Sequence, residues 1–126
     1  MPPYAAAPAG WKFLENRQPE RADVIFRRAL EDVSSGDMRT QASLHNGLGV
    51  SLARRGLFEE AQEHFTWCVR AFPDYAEARS NLGQCLMARH RYREAVEEFK
   101  VLVRISNGDP HAVQFLNEAL ARAGES

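Results

Sequence analysis

Residues 56–65 read GLFEEAQEHF, and residues 90–99 read HRYREAVEEF. Both stretches set an aromatic, an alanine and a phenylalanine at the same intervals: Phe58, Ala61 and Phe65, then Tyr92, Ala95 and Phe99, thirty-four residues on. The echo extends outward, with Leu48-Gly49 recurring as Leu82-Gly83 and Leu52 as Leu86 at the same period. Two aligned residues would be coincidence. Six at one spacing specify a repeated supersecondary unit that cannot bury its apolar flank alone and stacks on its neighbours.

The unit is helical. Leu44, Leu48 and Leu52 recur every four residues, as do Ala78, Leu82 and Leu86, which draws one stripe of a 3.6-residue period. No strand-like alternation competes in the second half. Gly56, Pro73 and Asn107-Gly108 fall between the periodic segments, where helices are expected to end. Gly49 and Gly83 let helix backbones approach closely, Ala61 and Ala95 do the same from the facing helix, and Phe65 and Phe99 are expected to fill the wedge that opens toward the next unit. Burying each ring contributes roughly 2–3 kcal/mol.

Composition narrows the function classes. The chain has 126 residues, 44% hydrophobic and 26% charged, with a formal net charge of −1, so nothing in its overall charge draws it to nucleic acid or anionic lipid. Cys68 and Cys85 are too few for a disulfide framework or a zinc site and are expected to be buried thiols in a reducing compartment. No run of about eighteen apolar residues predicts a membrane span. MPPYAAAPAG at the start lacks the pattern of a signal peptide, so cytoplasm is the expected location.

These residues resemble the tetratricopeptide repeat family, whose unit is two antiparallel helices with a small residue and a leucine in the first, an alanine and an aromatic in the second, and a closing proline. Pro73 takes the closing place in the unit 42–75; the unit 76–109 has Asn107 there instead, with Pro110 three residues later. Leu116 and Leu120 continue the register of Leu82 and Leu86, so residues 110–124 read as a capping helix. Going backward, Ala22, Phe26 and Ala29 form a good second helix, with about five extra residues near Ser34 to Met38, where Gly36 closes one helix and Asp37 caps the next. Gly10 aligns with Gly49, but Pro8 would break a helix crossing it, so a short or kinked helix is expected at Ala9 to Arg17 after a loose arm of residues 1–8. The resemblance thus implies an all-α, right-handed α-solenoid: one domain over residues 9–124 with about three helix pairs, the first (9–41) irregular, plus a C-terminal capping helix.

No catalytic constellation stands out. His45, His64, His90 and His111 form no H-E-x-x-H or H-x-x-x-H and by register fall in four different places, so no metal site is expected. Nucleophile elbows, Walker loops and dinucleotide fingerprints are absent, and Glu59-Glu60 and Glu97-Glu98 read as solvated helix residues. An enzyme, a cofactor and a small-molecule substrate are therefore not expected. Arg17, Arg54, Arg55, Arg89, Arg91 and Arg93 cluster at the turns within the pairs, a basic edge best read as offsetting helix dipoles and less well as a site for an acidic partner or nucleic acid.

The resemblance implies that the first helices line a concave groove for a peptide or partner segment. The matching positions are Ser43, Asn46, Val50, Ala53 and Arg54, then Glu77, Ser80, Asn81, Gln84, Met87 and Ala88, continued by His111, Gln114 and Phe115 on the capping helix. Amides can bond an extended backbone and Met87 offers an adaptable apolar contact. One subgroup of the family clamps a C-terminal carboxylate with lysine, asparagine and arginine. Asn81 matches one asparagine place here, but Gly47 stands at the equivalent in the preceding unit and Glu77 where lysine is wanted, so that ligand is disfavoured. The expected function is a protein–protein scaffold or adaptor. The rival is self-association through a convex patch of Trp67 and Val101, unless Trp67 folds over the loop near Phe72.

Overall fold

The computed structural model describes residues 7–33 and 37–124, and these form α-helices without a strand. In chain order they are α1 (Pro8–Glu15), α2 (Pro19–Asp32), α3 (Met38–Arg54), α4 (Phe58–Ala71), α5 (Ala76–Ala88), α6 (Tyr92–Ile105) and α7 (Pro110–Arg122). Packing divides the chain into two compact units, Met1–Pro73 and Asp74–Ser126.

Local chemistry sets the helix ends. Pro8, Pro19 and Pro110 stand in the first turns of α1, α2 and α7, where a missing N–H costs no intrahelical bond. Pro8 therefore opens α1 and does not break it, and the short first helix starts one residue before the expected span. Asp37 caps α3, accepting from the Thr40 N–H at 3.1 Å and the Thr40 hydroxyl at 2.6 Å. The expected break at Gly36 lies outside the described residues. Part of the insertion before the second unit goes into the helix itself: α3 has 17 residues against 13 for its repeat equivalent α5.

Each helix pair turns through the same C-cap. The N–H of Gln18, Leu57 and Arg91 returns to the carbonyl five residues back, on Phe13, Leu52 and Leu86, and the residue before each adopts positive φ: Arg17 at 59°, Gly56 at 79° and His90 at 61°. This is the 6→1 bond of the Schellman motif, and only one of the three turns uses glycine for it.

In the first unit α1 packs on α2, α2 on α3 and α3 on α4. Its core holds Leu14, Ala22, Phe26, Leu44, Leu48, Leu52, Ala61, Phe65 and Cys68. In the second, α5 packs on α6 and α6 on α7 around Ala78, Leu82, Leu86, Ala95, Val96, Phe99 and Leu102. One relationship recurs three times: a Cβ on Gly10, Gly49 or Gly83 would lie 2.7, 2.5 or 2.4 Å from the ring of Phe26, Phe65 or Phe99. The irregular first pair therefore uses the same glycine-on-phenylalanine crossing as the other two. Phe26 also meets Gly47 of α3, where a Cβ would lie 2.6 Å from the ring. Cys68 and Cys85 are buried thiols outside any disulfide, pushed up by desolvation to about 12 and about 11 respectively.

Candidate functional site

Helix α5 carries the fullest part of the expected binding row. Ala78, Leu82, Cys85 and Leu86 turn into the core, which leaves Glu77, Ser80, Asn81, Gln84 and Met87 at helical spacing on the other side. Glu77 and Gln84 are exposed and Ser80, Asn81 and Met87 half-buried. The Gln84 amide donates to the Ser80 hydroxyl at 3.0 Å, so one face of the helix offers hydroxyl, amide, thioether and a single carboxylate.

On α3 the row is altered by packing. Ser43 and Asn46, expected on an open face, are only 0% and 1% exposed and out of a ligand's reach. The extended α3 packs against both α2 and α4, and that encloses them. Val50 is half-buried, and Arg54, although exposed, donates to the Leu14 carbonyl at the end of α1 over 2.7 Å. On α7, His111 and Gln114 are exposed, while Phe115 is half-buried with its ring stacked on Phe99, centroids 5.3 Å apart.

The proposed convex patch is also changed. Trp67 is half-buried and stacks on His45 across the α3–α4 hairpin, centroids 4.3 Å apart at 25°. Val101 is half-buried. The basic edge is partly engaged as well. Arg55 bonds the buried carboxylate of Asp23, which also accepts from the Ser51 hydroxyl, and Arg91 pairs with Glu94 at 3.4 Å. Around the α6 N-terminus, His90, Arg91, Tyr92, Arg93, Glu94 and Arg122 line an open hollow of about 340 Å³. Glu98, read as a solvated carboxylate, is tied to Arg79 at 2.8 Å between α5 and α6.

The histidines do not all stand apart. His45 on α3 and His64 on α4 face each other with their Nδ1 atoms 2.9 Å apart. Burial, then His64, pushes His45 down to about 4. Burial first and Arg27 second lower His64, against Glu63, Glu60 and Asp23. Neither this pair nor the Asp23, Ser51 and Arg55 group had a signal in the sequence: with Gly49 against Phe65 in an antiparallel hairpin, the residue one turn earlier on α3 is expected to face the stretch beyond Phe65 and not His64, and each residue of the Asp23 group taken singly reads as a solvated helix position. Among the described residues, no group of three or more His, Cys, Asp or Glu is placed to hold a metal ion, and no helix is long and apolar enough to cross a membrane.

The fold has well-matched counterparts. The first tetratricopeptide repeat domain of Spaghetti (RPAP3), bound to the HSP90 peptide SRMEEVD, superposes with a TM-score of 0.84 at 15% identity, over 98% of this chain and 96% of that one. The second such domain of human RPAP3, in complex with the HSP70 peptide SGPTIEEVD, gives 0.76 at 19% identity over 94% and 98%. The TPR2AB domain of yeast Sti1, in complex with an HSP90 peptide, gives 0.76 at 15% identity over 93% of this chain and 46% of that one. At these identities the likeness concerns the fold. The sequence profile of the tetratricopeptide repeat matches residues 46–110, a little over half of the chain and the span that holds the thirty-four-residue echo. The chain belongs to the tetratricopeptide repeat family.

Proposed function

We propose that the chain is an adaptor that receives an extended segment of a partner protein on the open face of α5, with Glu77, Ser80, Asn81, Gln84 and Met87 as its contacts. Membership of the family and the peptide complexes of its structural counterparts support a role in protein–protein interaction. The observation that carries the finer reading is the separation of faces on α5. Four apolar residues are buried on one side, and a row of amide, hydroxyl and thioether groups is reachable on the other. Asn81 and Gln84 can exchange hydrogen bonds with a peptide backbone, and Met87 can adapt to an apolar side chain. His111 and Gln114 on α7 are the further candidates on accessible positions of the same unit; Val50 and Arg54 on α3 belong to the first unit and are accessible there.

Charge sets the kind of segment. Glu77 is exposed at the head of the row, and a carboxylate there opposes an acidic ligand of the EEVD type. The proposed partner segment is neutral or basic. Affinity capture with wild type and with Gln84→Ala/Met87→Ala tests the face, since both changes leave the core untouched; identical partner lists would count against it. Titration with the peptide SRMEEVD tests the charge argument: Glu77→Lys should bind it more tightly than wild type, and the opposite order would refute the role given to Glu77.

A further inference from the structure

The His45 and His64 rings meet across the α3–α4 hairpin, each about half-buried, and Trp67 stacks on His45. No third His, Cys, Asp or Glu among the described residues converges on them, so the chemistry open to the pair is that of a proton. We propose that the two imidazoles form an acid-sensitive latch across the hairpin, closed while they share at most one added proton and released when each ring carries its own.

The contact geometry gives the reason. An Nδ1···Nδ1 separation of 2.9 Å needs a hydrogen on one nitrogen and a lone pair on the other. Two neutral rings of opposite tautomer satisfy it. One added proton leaves an N–H···N bond that is charge-assisted. A second puts hydrogen on both facing atoms, removes the acceptor and sets two positive charges against each other. The rings must then part, and His45 cannot swing away without leaving Trp67, whose centroid is 4.3 Å distant.

The surroundings pull in both directions. Arg27 on α2 opposes charge on His64, whereas Asp23 on α2 and Glu60 and Glu63 on α4 favour it. The indole face of Trp67 also favours a cation on His45. Burial and the mutual repulsion of the rings prevail, since both histidines lie below the ordinary 6.5, His45 at about 4. A depressed histidine contributes stability that is complete above 6.5 and lost as pH falls toward about 4, because the unfolded chain takes up protons that the folded pair refuses. The two protons belong to the pair, so titration runs in two coupled steps.

The test is an NMR titration of the imidazole resonances of the whole chain through that range. His45 and His64 should titrate in coupled steps, the lower at least one pH unit below 6.5, a roughly tenfold loss of proton affinity. Urea midpoints should fall over the same window; His64→Gln should lose part of that fall, because burial still acts on His45, and His45→Gln/His64→Gln together should lose most of it. Two independent titrations at 6.5 would overturn the latch, as would an unchanged acid response in both His45→Gln and His64→Gln. If a variant fails to fold, the wild-type titration alone decides.

Discussion

Phe99 lies over Gly83 so closely that a Cβ on the glycine would sit 2.4 Å from the ring. The ring has little room to retreat, being 1% exposed with Phe115 stacked behind it at 5.3 Å. Gly83→Ala should gain helix propensity of about 1 kcal/mol and lose more to overpacking, for a net cost of about 1–2 kcal/mol. Phe99→Ala alone should cost about 3–5 kcal/mol. In that background the clash is gone, and Gly83→Ala should become stabilising by up to about 1 kcal/mol. Urea unfolding of the four proteins of this cycle decides the matter; an effect of the same sign in both backgrounds would show that the close approach does not constrain residue 83.

Much of this fold was legible because a repeat states its contacts more than once. Gly49, Gly83, Phe65 and Phe99 were marked by one spacing, and Gly10 by alignment even though Pro8 argued for irregularity; the rings of Phe65 and Phe99, expected in the wedge toward the next unit, lie on the glycine of their own pair. The same logic failed where tertiary packing is not repeated. Ser43 and Asn46 carry polar side chains at positions that face a groove elsewhere in the family, and here the long α3 takes them inside. Phe115 is half-buried because its ring stacks on Phe99, a contact the thirty-four-residue echo does not contain. The turns at Arg17 and His90 hide their positive φ, because neither residue is the glycine or asparagine that would have signalled it. On α5 the five members of the expected row lie on the side opposite the leucine stripe, and that stripe was plain in the sequence.

Asp23 is 4% exposed on α2 and is held by Arg55 and by the Ser51 hydroxyl. The group joins α2 to α3 in the same unit as the histidine pair, so its variants test the first unit. Asp23→Ala should cost about 1–3 kcal/mol. Ser51 keeps a bond to the Leu48 carbonyl at 3.0 Å, and Arg55, whose side chain is 34% exposed, can turn to water. Arg55→Ala should cost more, about 2–4 kcal/mol, because it strands a buried carboxylate with only a hydroxyl beside it. Removing both should cost less than the sum of the two. Thermal or urea unfolding gives the ordering, and a double variant equal to the sum would show that carboxylate and guanidinium act independently.

Ser43 supplies the converse case, a polar group whose removal should help. Its side chain is 0% exposed on α3, and its hydroxyl finds no hydrogen-bond partner among the described residues. Folding therefore strips the hydroxyl of water without replacement, at a cost of about 1–3 kcal/mol for an unmade bond. Ser43→Ala removes that penalty, leaves almost the same volume and improves helix propensity by a few tenths of a kcal/mol. The variant should be more stable than wild type by about 1 kcal/mol, read as a higher urea midpoint with an unchanged slope. Partner capture should be unaffected, because an enclosed residue touches no ligand. A destabilised Ser43→Ala would mean that the hydroxyl bonds a buried water or a backbone carbonyl. Lost capture at unchanged stability would mean that α3 opens this face when it binds.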